Sequence, residues 1–201
     1  IAPVVPRTLS EARRDRFAAR RAMAALGYLE TINFSFVDES WERDLAGNPD
    51  PVRLLNPISS QMGVMRSSLL GSLLQVVKHN VDRRADRMRV FEVGRVFARD
   101  AGVHASDHDV QGVAQPMRIA GAIYGPARAQ GWEGKQAVAD FFDIKGDVEA
   151  LLAPRQATFE RAEHPALHPG RCARVLRGGR VIGGAGERQP PGGVHQAAEQ
   201  L

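Results

Sequence analysis

The chain has 201 residues, of which 43% are hydrophobic and 25% charged, which is enough apolar material for one globular domain. No apolar run approaches the length of a membrane span, and the N-terminus lacks a signal-peptide pattern. The formal net charge is +4, an excess that fits an RNA-binding surface or simply a solvated arginine-rich one. The single cysteine, Cys172, excludes an internal disulfide and favours a reducing, cytosolic setting. Because the first residue is Ile1, we expect a piece of a longer protein.

The segment TLSEARRDRFAARRAMAALGY predicts a first helix. Thr8 and Glu11 can form a capping box at its start, and Gly27 provides its end. Small and apolar side chains fall on one narrow stripe at helical spacing, namely Ala12, Ala19, Met23 and Leu26. The stripe suits a closely packed neighbouring helix, and the arginines around it fit either a solvated face or a partner with an acidic rim.

TINFSFV follows at once and predicts a half-buried strand, because Ile32, Phe34 and Phe36 alternate with polar residues. We then expect a short helix from Asp38 to Leu45 and a turn from Gly47 to Pro51.

A second helix is predicted by SSLLGSLLQVVKHNV, with Ser67 or Ser68 as its cap. Its apolar face comprises Leu70, Leu73, Leu74, Val77 and Val81. One long strand is predicted from Arg89 to Ala98, and the polar stretch from Ala101 to Gln115 predicts a loop.

The remaining segments predict mainly strands. Met117 to Gly125 is typical of a central strand, and Ala157 to Arg161 of a short one. Between them, DFFDIKGDVEALLA predicts a third helix anchored by Phe142, Val148, Leu151 and Leu152. CARVLRGGRVIGGAGE predicts a hairpin that turns at Gly178–Gly179.

Strands joined directly to strands favour an α+β fold, in which helices gathered on one side flank an antiparallel sheet. We expect residues 1–188 to form this module. Residues 189–201 have no core-forming pattern and are predicted to be a frayed tail.

Three local patterns could carry chemistry, but each has a simpler explanation. The histidines of HASDHD, residues 104–109, and the pair His164 and His168 have the spacing of helical zinc ligands, yet neither segment has a helical pattern. The glycines of 183–188 precede prolines, so they favour close strand packing over phosphate binding. Cys172 lies in an apolar run, which favours a core position. No metal site is predicted.

Four phrases resemble a known family when taken together: LLNPISSQMGVMRSSLLGSLL, FEVGRVF, FFDIKGDVEALL and HPGRCARV. They occur in the order and at about the distances seen in bacterial phenylalanyl-tRNA synthetase beta subunits. From Ile1 to about Glu187 the chain resembles the catalytic-like (B6/B7) module of that subunit. The resemblance implies the class II aminoacyl-tRNA synthetase fold. The first helix and TINFSFV look like motif 1, by which class II modules pair. MRSSLL with FEVGRVFARD looks like motif 2, and VIGGAGE lies where motif 3 would fall.

The resemblance also implies that motif 2 is degenerate here. In the catalytic alpha subunit the corresponding stretch is similar to GRVYRRD, and its first arginine after tyrosine binds the α-phosphate of ATP. The matching residue of this chain is Ala98, which cannot neutralise charge that develops at phosphorus. The degenerate motif comprises Glu92, Arg95, Ala98 and Arg99, and we expect this chain to be inactive alone. Gly71 also departs from the family pattern, which usually has proline there.

An architectural role follows from the resemblance. The chain would pair with the alpha subunit in a cytoplasmic heterotetramer of two alpha and two beta subunits, an aminoacyl-tRNA ligase that joins phenylalanine to its tRNA with ATP and magnesium. By itself it would hold no cofactor or metal and would contact tRNA only through the whole enzyme. The candidate pairing residues are Ala12, Ala19, Met23, Phe34, Phe36, Met62, Met65 and Arg66.

Two other functions stay open: a module that binds a nucleotide or aminoacyl ligand, and an RNA-binding module whose support is the basic first helix. Glu92, Arg95 and Arg171 fit internal ion pairs better than interface contacts.

Overall fold

The strands of the fold lie in three sheets. The computed structural model describes residues 15–129, 131–132, 134, 137–188 and 194–200, the last range by its backbone alone. The strands among these residues are β1 (Leu29–Glu30), β2 (Phe36–Val37), β3 (Val64–Met65), β4 (Met88–Arg95), β5 (Ala98–Arg99), β6 (Val113–Ala114), β7 (Met117–Tyr124), β8 (Thr158–Arg161), β9 (Leu167–Arg177), β10 (Arg180–Arg188) and β11 (Val194–Gln200).

The main sheet has seven strands in the order β1-β4-β7-β11-β10-β9-β8. All neighbouring strands are antiparallel except β1 and β4, which run parallel. Two small antiparallel sheets, β2 with β3 and β5 with β6, lie outside it. The prediction of an α+β fold with a mainly antiparallel sheet is confirmed.

Strand β11 corrects the prediction of a frayed tail. Val194–Gln200 lies between β7 and β10 and pairs with both of them. The two sets of backbone hydrogen bonds specify this strand, whereas its sequence has no hydrophobic alternation that would reveal it.

The helices are α1 (Arg16–Ala25), α2 (Glu39–Trp41), α3 (Leu70–Val81) and α4 (Phe141–Leu152), and α2 continues as a π-helical turn, Glu42–Ala46. The predicted cap residues Thr8 and Glu11 lie outside the described residues. Asp15 is extended and caps α1 by accepting from the Ala18 N–H at 2.7 Å, so a single helix from Thr8 to Leu26 is wrong.

Helices cover both faces of the sheet, which corrects the expectation that they gather on one side. The core on one face joins α1 and α4 to Phe91, Val93, Ile119 and Ile123. The core on the other face joins α3 to Val90, Ala120 and Ala122. Because β4 and β7 bury consecutive residues, both of their faces need a cover.

The described helices keep most of their predicted contacts. Ser68 accepts from the Leu70 N–H at 3.1 Å, as expected for a residue at the start of α3. In α4, Val148 and Leu152 are buried as predicted, but Phe142 is 72% exposed. Ile144 takes the core position instead, because it shares a helix face with Val148.

A partly buried polar cluster ties the end of α1 to β4 and α4. The Tyr28 hydroxyl donates to Asp147 at 2.7 Å, and Arg89 donates to the same carboxylate at 3.0 Å and to the Leu26 carbonyl at 3.1 Å. Burial raises the pKa of Tyr28, and the charge of Asp147 raises it further, so the phenol stays a donor.

We expect Asp147→Ala to lower the free energy of unfolding by about 2–3 kcal/mol, because the partly buried Arg89 would lose its carboxylate. Tyr28→Phe, which keeps the ion pair, should cost only about 1 kcal/mol. Urea denaturation of both variants measures the difference, and equal losses would contradict the central role of Asp147.

Two histidines shape the chain at the start of β9. His164 Nδ1 accepts from the Ala166 N–H at 3.2 Å, and His168 Nδ1 accepts from the Gly170 N–H at 3.1 Å. Burial lowers the pKa of His164, which favours the neutral ring that accepts this bond.

This lowered pKa predicts a pH dependence of stability. The unfolded chain takes up a proton on His164 near pH 6.5, whereas the folded chain does so only at lower pH, so stability should fall as the pH drops below about 6.5. His164→Asn keeps an acceptor for the Ala166 N–H but does not titrate. Denaturation curves between pH 7.5 and 5 should therefore show a weaker pH dependence for this variant; an unchanged dependence would rule His164 out as its source.

Candidate functional site

A buried ion pair lies beneath a segment whose apolar side chains are exposed. Arg66 Nη2 lies 2.7 Å from Glu92 Oε1, and both side chains are 3% exposed. Arg66 also donates to the Arg95 carbonyl at 3.2 Å, and Asn33 donates to the second oxygen of Glu92 at 2.8 Å. Arg66 is thus a core residue, which corrects its assignment to the pairing surface, and Glu92 forms the expected internal ion pair.

Gly94 leaves room for this pair. A Cβ at Gly94 would lie 2.4 Å from Arg66 Nη2, 3.1 Å from Glu92 Oε1 and 3.3 Å from Leu69 Cδ2. Because the guanidinium is buried and held by its acceptors, it cannot swing away. Glycine is therefore the residue that permits the ion pair at the end of β4.

Residues 31–36, here called the apolar loop, are held to the core by their polar groups. The Thr31 N–H donates to the Phe91 carbonyl at 2.7 Å, and the Arg66 N–H donates to the Ser35 carbonyl at 2.9 Å. With the bond from Asn33 to Glu92, these contacts join all three polar residues of the segment, Thr31, Asn33 and Ser35, to the core.

The apolar side chains of this loop point the other way. Ile32 is 92% exposed and Phe34 is 65% exposed, and only Phe36–Val37 forms a strand. The predicted half-buried strand from Thr31 is therefore wrong at Ile32 and Phe34, and Phe34, a candidate pairing residue, lies on the surface. The alternation is real, but the polar residues Thr31, Asn33 and Ser35 are the half-buried ones. Asn33 binds Glu92 of the ion pair, and the other two are joined to the core through their backbone groups.

A groove of about 450 Å³ borders the apolar loop. Its apolar lining includes Ile32, Phe34, Phe36, Trp41 and Met62. Asp38 adds a carboxylate, which accepts from the N–H and the hydroxyl of Ser40 at 2.8 and 2.6 Å. These hydrogen bonds lower the pKa of Asp38, so the groove carries a negative charge at one side.

The other predicted pairing residues divide between surface and core. Phe36 and Met62 line the groove, and Met65 is half-buried in β3 beside it. Ala19 and Met23 are buried in the core between α1 and the sheet, which corrects their assignment to the pairing surface. Ala12 lies outside the described residues.

The residues of the degenerate motif do not form a single site. Strand β4 ends at Arg95, where the Val96 N–H donates to the Pro116 carbonyl, so the predicted strand through Ala98 is wrong. Ala98 is exposed in the small β5–β6 sheet. Arg95 donates to the Gln115 carbonyl at 3.0 Å, and Arg99 pairs with Asp50 at 3.0 Å, so contacts within the chain engage both guanidinium groups.

Two residues near the groove could not be recognised from the sequence. A Cβ at Gly71 would lie 2.9 Å from the ring of Trp41, so glycine lets the indole pack against α3. Glu42 is buried and accepts from the Ser67 N–H at 2.9 Å and from Asn48 at 3.0 Å. The one signal that the sequence offers for these two residues is Gly71, which stands where the family pattern usually has proline.

Among the described residues, no set of three or more histidine, cysteine, aspartate or glutamate side chains is arranged to hold a metal ion. None of the helices in this part of the chain combines the length and the apolarity needed to cross a membrane.

A family model described as the phenylalanyl tRNA synthetase beta chain CLM domain matches residues 1–191. The chain belongs to this family. Among curated relatives, the phenylalanine–tRNA ligase beta subunit of Burkholderia lata is 54% identical over 184 residues, and that of Ralstonia nicotianae is 55% identical over 184 residues. Each alignment covers 92% of this chain and 23% of the relative, so the chain spans about a quarter of the length of these relatives.

The fold is similar to that of a solved synthetase. PylSc of Desulfitobacterium hafniense, a pyrrolysyl tRNA synthetase, matches with a TM-score of 0.60 over 92% of this chain and 66% of PylSc. The sequence identity is 11%, so this likeness concerns the fold alone. It agrees with the synthetase fold that the sequence resemblance implies.

We expect Glu92→Gln to lower the free energy of unfolding by about 3–5 kcal/mol, because Arg66 would stay buried without a counter-charge. The same change should speed amide hydrogen exchange in residues 31–36, which the pair holds. Arg99→Gln, which removes an exposed pair, should leave both measurements nearly unchanged. If Glu92→Gln lost stability without faster exchange in residues 31–36, the Arg66–Glu92 pair would not be what orders the apolar loop.

Proposed function

We propose that this chain is the non-catalytic, synthetase-like module of a phenylalanine–tRNA ligase beta subunit, and that it pairs with the catalytic alpha subunit. The observation that supports this most is the apolar loop. Its polar groups are satisfied inward, while Ile32 and Phe34 are held in solvent. A protein that keeps large apolar side chains exposed on an ordered segment presents a binding surface.

The groove beside the loop suits a protein partner. Its apolar lining would accept apolar or aromatic side chains, and the Asp38 carboxylate would favour a donor or a cation next to them. Interfaces commonly combine an apolar centre with polar groups at the rim. Leu55 and Ile58, in the segment before β3, are two further apolar side chains that are largely exposed, at 97% and 77%.

The chain alone would be inactive. Its motif 2 position is Ala98, whose methyl group cannot hold a phosphate, and the nearby Arg95 and Arg99 contact the Gln115 carbonyl and Asp50 within the chain. ATP, magnesium and phenylalanine would be handled by the alpha subunit, and tRNA would be bound by the whole enzyme. A cytoplasmic heterotetramer of two alpha and two beta subunits is the assembly that we propose.

Phe34→Asp in the full-length beta subunit should weaken pairing with alpha at least tenfold, since truncating an interface anchor costs about 2 kcal/mol or more and a buried charge adds to this. Co-expression followed by size-exclusion chromatography with light scattering measures the assembly. Val110→Asp is the matched control, because Val110 is similarly exposed, at 60%, in a loop remote in sequence. Equal assembly of the two variants would remove the apolar loop from the interface.

A further inference from the structure

One segment of this chain carries basic residues and no acidic ones. Residues 164–186 contain four arginines and neither aspartate nor glutamate. The other 23 of the 27 basic residues are matched by the 23 acidic residues, all of which lie outside this segment. The segment therefore carries a formal charge of +4. The four residues are Arg171, Arg174, Arg177 and Arg180.

These arginines lie on the β9–β10 hairpin, and two of them meet at its tip. Arg177 and Arg180 are direct cross-strand partners on either side of Gly178 and Gly179. Both glycines have positive φ, at 57° and 76°, which gives the tight two-residue turn that this sequence favours. The described pairing of β8 reaches only Leu176, so the tip extends beyond the neighbouring strand.

The two tip arginines are not used inside the described part of the chain. Arg171 pairs with Glu187, but no ion pair or hydrogen bond joins the exposed side chains of Arg177 and Arg180 to another described residue. Like charges directly opposite each other destabilise a hairpin. The turn itself is specified by the glycines, so folding does not require this pair of cations.

We propose that the tip of the β9–β10 hairpin, through Arg177 and Arg180, binds the phosphate backbone of RNA. Guanidinium groups donate paired hydrogen bonds to phosphate oxygens, and a phosphate between the two arginines would turn their repulsion into attraction. The turn glycines have open space around them, so a polymer strand could approach the backbone closely. The proposal rests on the proposed function, since the relatives are named as tRNA ligases.

The composition of the tip favours RNA over a lipid surface. Val181 is its one exposed large apolar residue among those described, at 44%, which leaves little to insert into a bilayer. The tip also has no aromatic side chain to stack on bases. Binding should therefore depend on salt and hardly on RNA sequence.

The test compares full-length ligase carrying Arg177→Gln and Arg180→Gln with the wild type, using fluorescence anisotropy of labelled tRNA at 50–300 mM salt. We expect the affinity to fall several-fold at low salt, and the slope of log affinity against log salt to become shallower by about 1.4–1.8, the value for two lost phosphate contacts. Arg177→Lys with Arg180→Lys should retain most of the slope, because it keeps both charges.

The control variant carries Arg83→Gln and Arg84→Gln, two exposed arginines after α3. An equal loss of tRNA affinity in this control would mean that total charge, and not the hairpin tip, governs binding and would overturn the proposal. An unchanged slope in the tip variant would also overturn the proposal. In a parallel measurement with anionic phospholipid vesicles, a tip variant that lost affinity for the vesicles but not for tRNA would overturn it as well. Assembly with alpha, measured on the same samples, should be normal, so failure of RNA binding is distinguishable from failure of the pairing role.

Discussion

The burial of a single ion pair, Arg66 with Glu92, determines how the surface above it is built. A guanidinium and a carboxylate removed from water need partners for their remaining donors and acceptors. Asn33 supplies one for Glu92, and the Arg95 carbonyl accepts from Arg66. The segment that contains Asn33 must therefore turn its polar side inward. Because side chains of an extended chain alternate, Ile32 and Phe34 are then directed into solvent.

The need for polar partners beneath this segment also explains why its alternation was wrongly interpreted as a half-buried strand. Alternation of apolar and polar residues predicts which side chains share a face, and it also predicts burial when the core is apolar. Beneath residues 31–36 the core is ionic, and no local pattern reveals that Arg66 and Glu92 meet, since they are far apart in the sequence. Arg66 looked like a surface residue for the same reason. The resemblance to the family identified the chain correctly, but it did not distinguish core from surface within the phrases that carried it.

The elements that could be predicted are those whose own side chains specify them. Strand β7, helices α3 and α4 and the glycine turn of the β9–β10 hairpin all have strong local signals, and all occur where expected. Strand β11 has no such signal, because its neighbours on both sides provide its hydrogen bonds. The placement of helices on both faces of the sheet depends likewise on β4 and β7, whose continuous buried runs are clear only after the sheet order is known.

The distribution of arginines separates two kinds of surface. Near the degenerate motif, Arg95 and Arg99 are satisfied by a carbonyl and a carboxylate of the same chain, so the guanidinium groups there have structural partners. At the hairpin tip, Arg177 and Arg180 face each other without such partners among the described residues, although their repulsion works against the pairing of β9 and β10. A fold that keeps an unfavourable contact which its own turn does not need is typical of a binding surface. Under the proposal made for the tip, anion binding by this module belongs at the hairpin and not near Ala98, whose methyl group cannot hold a phosphate.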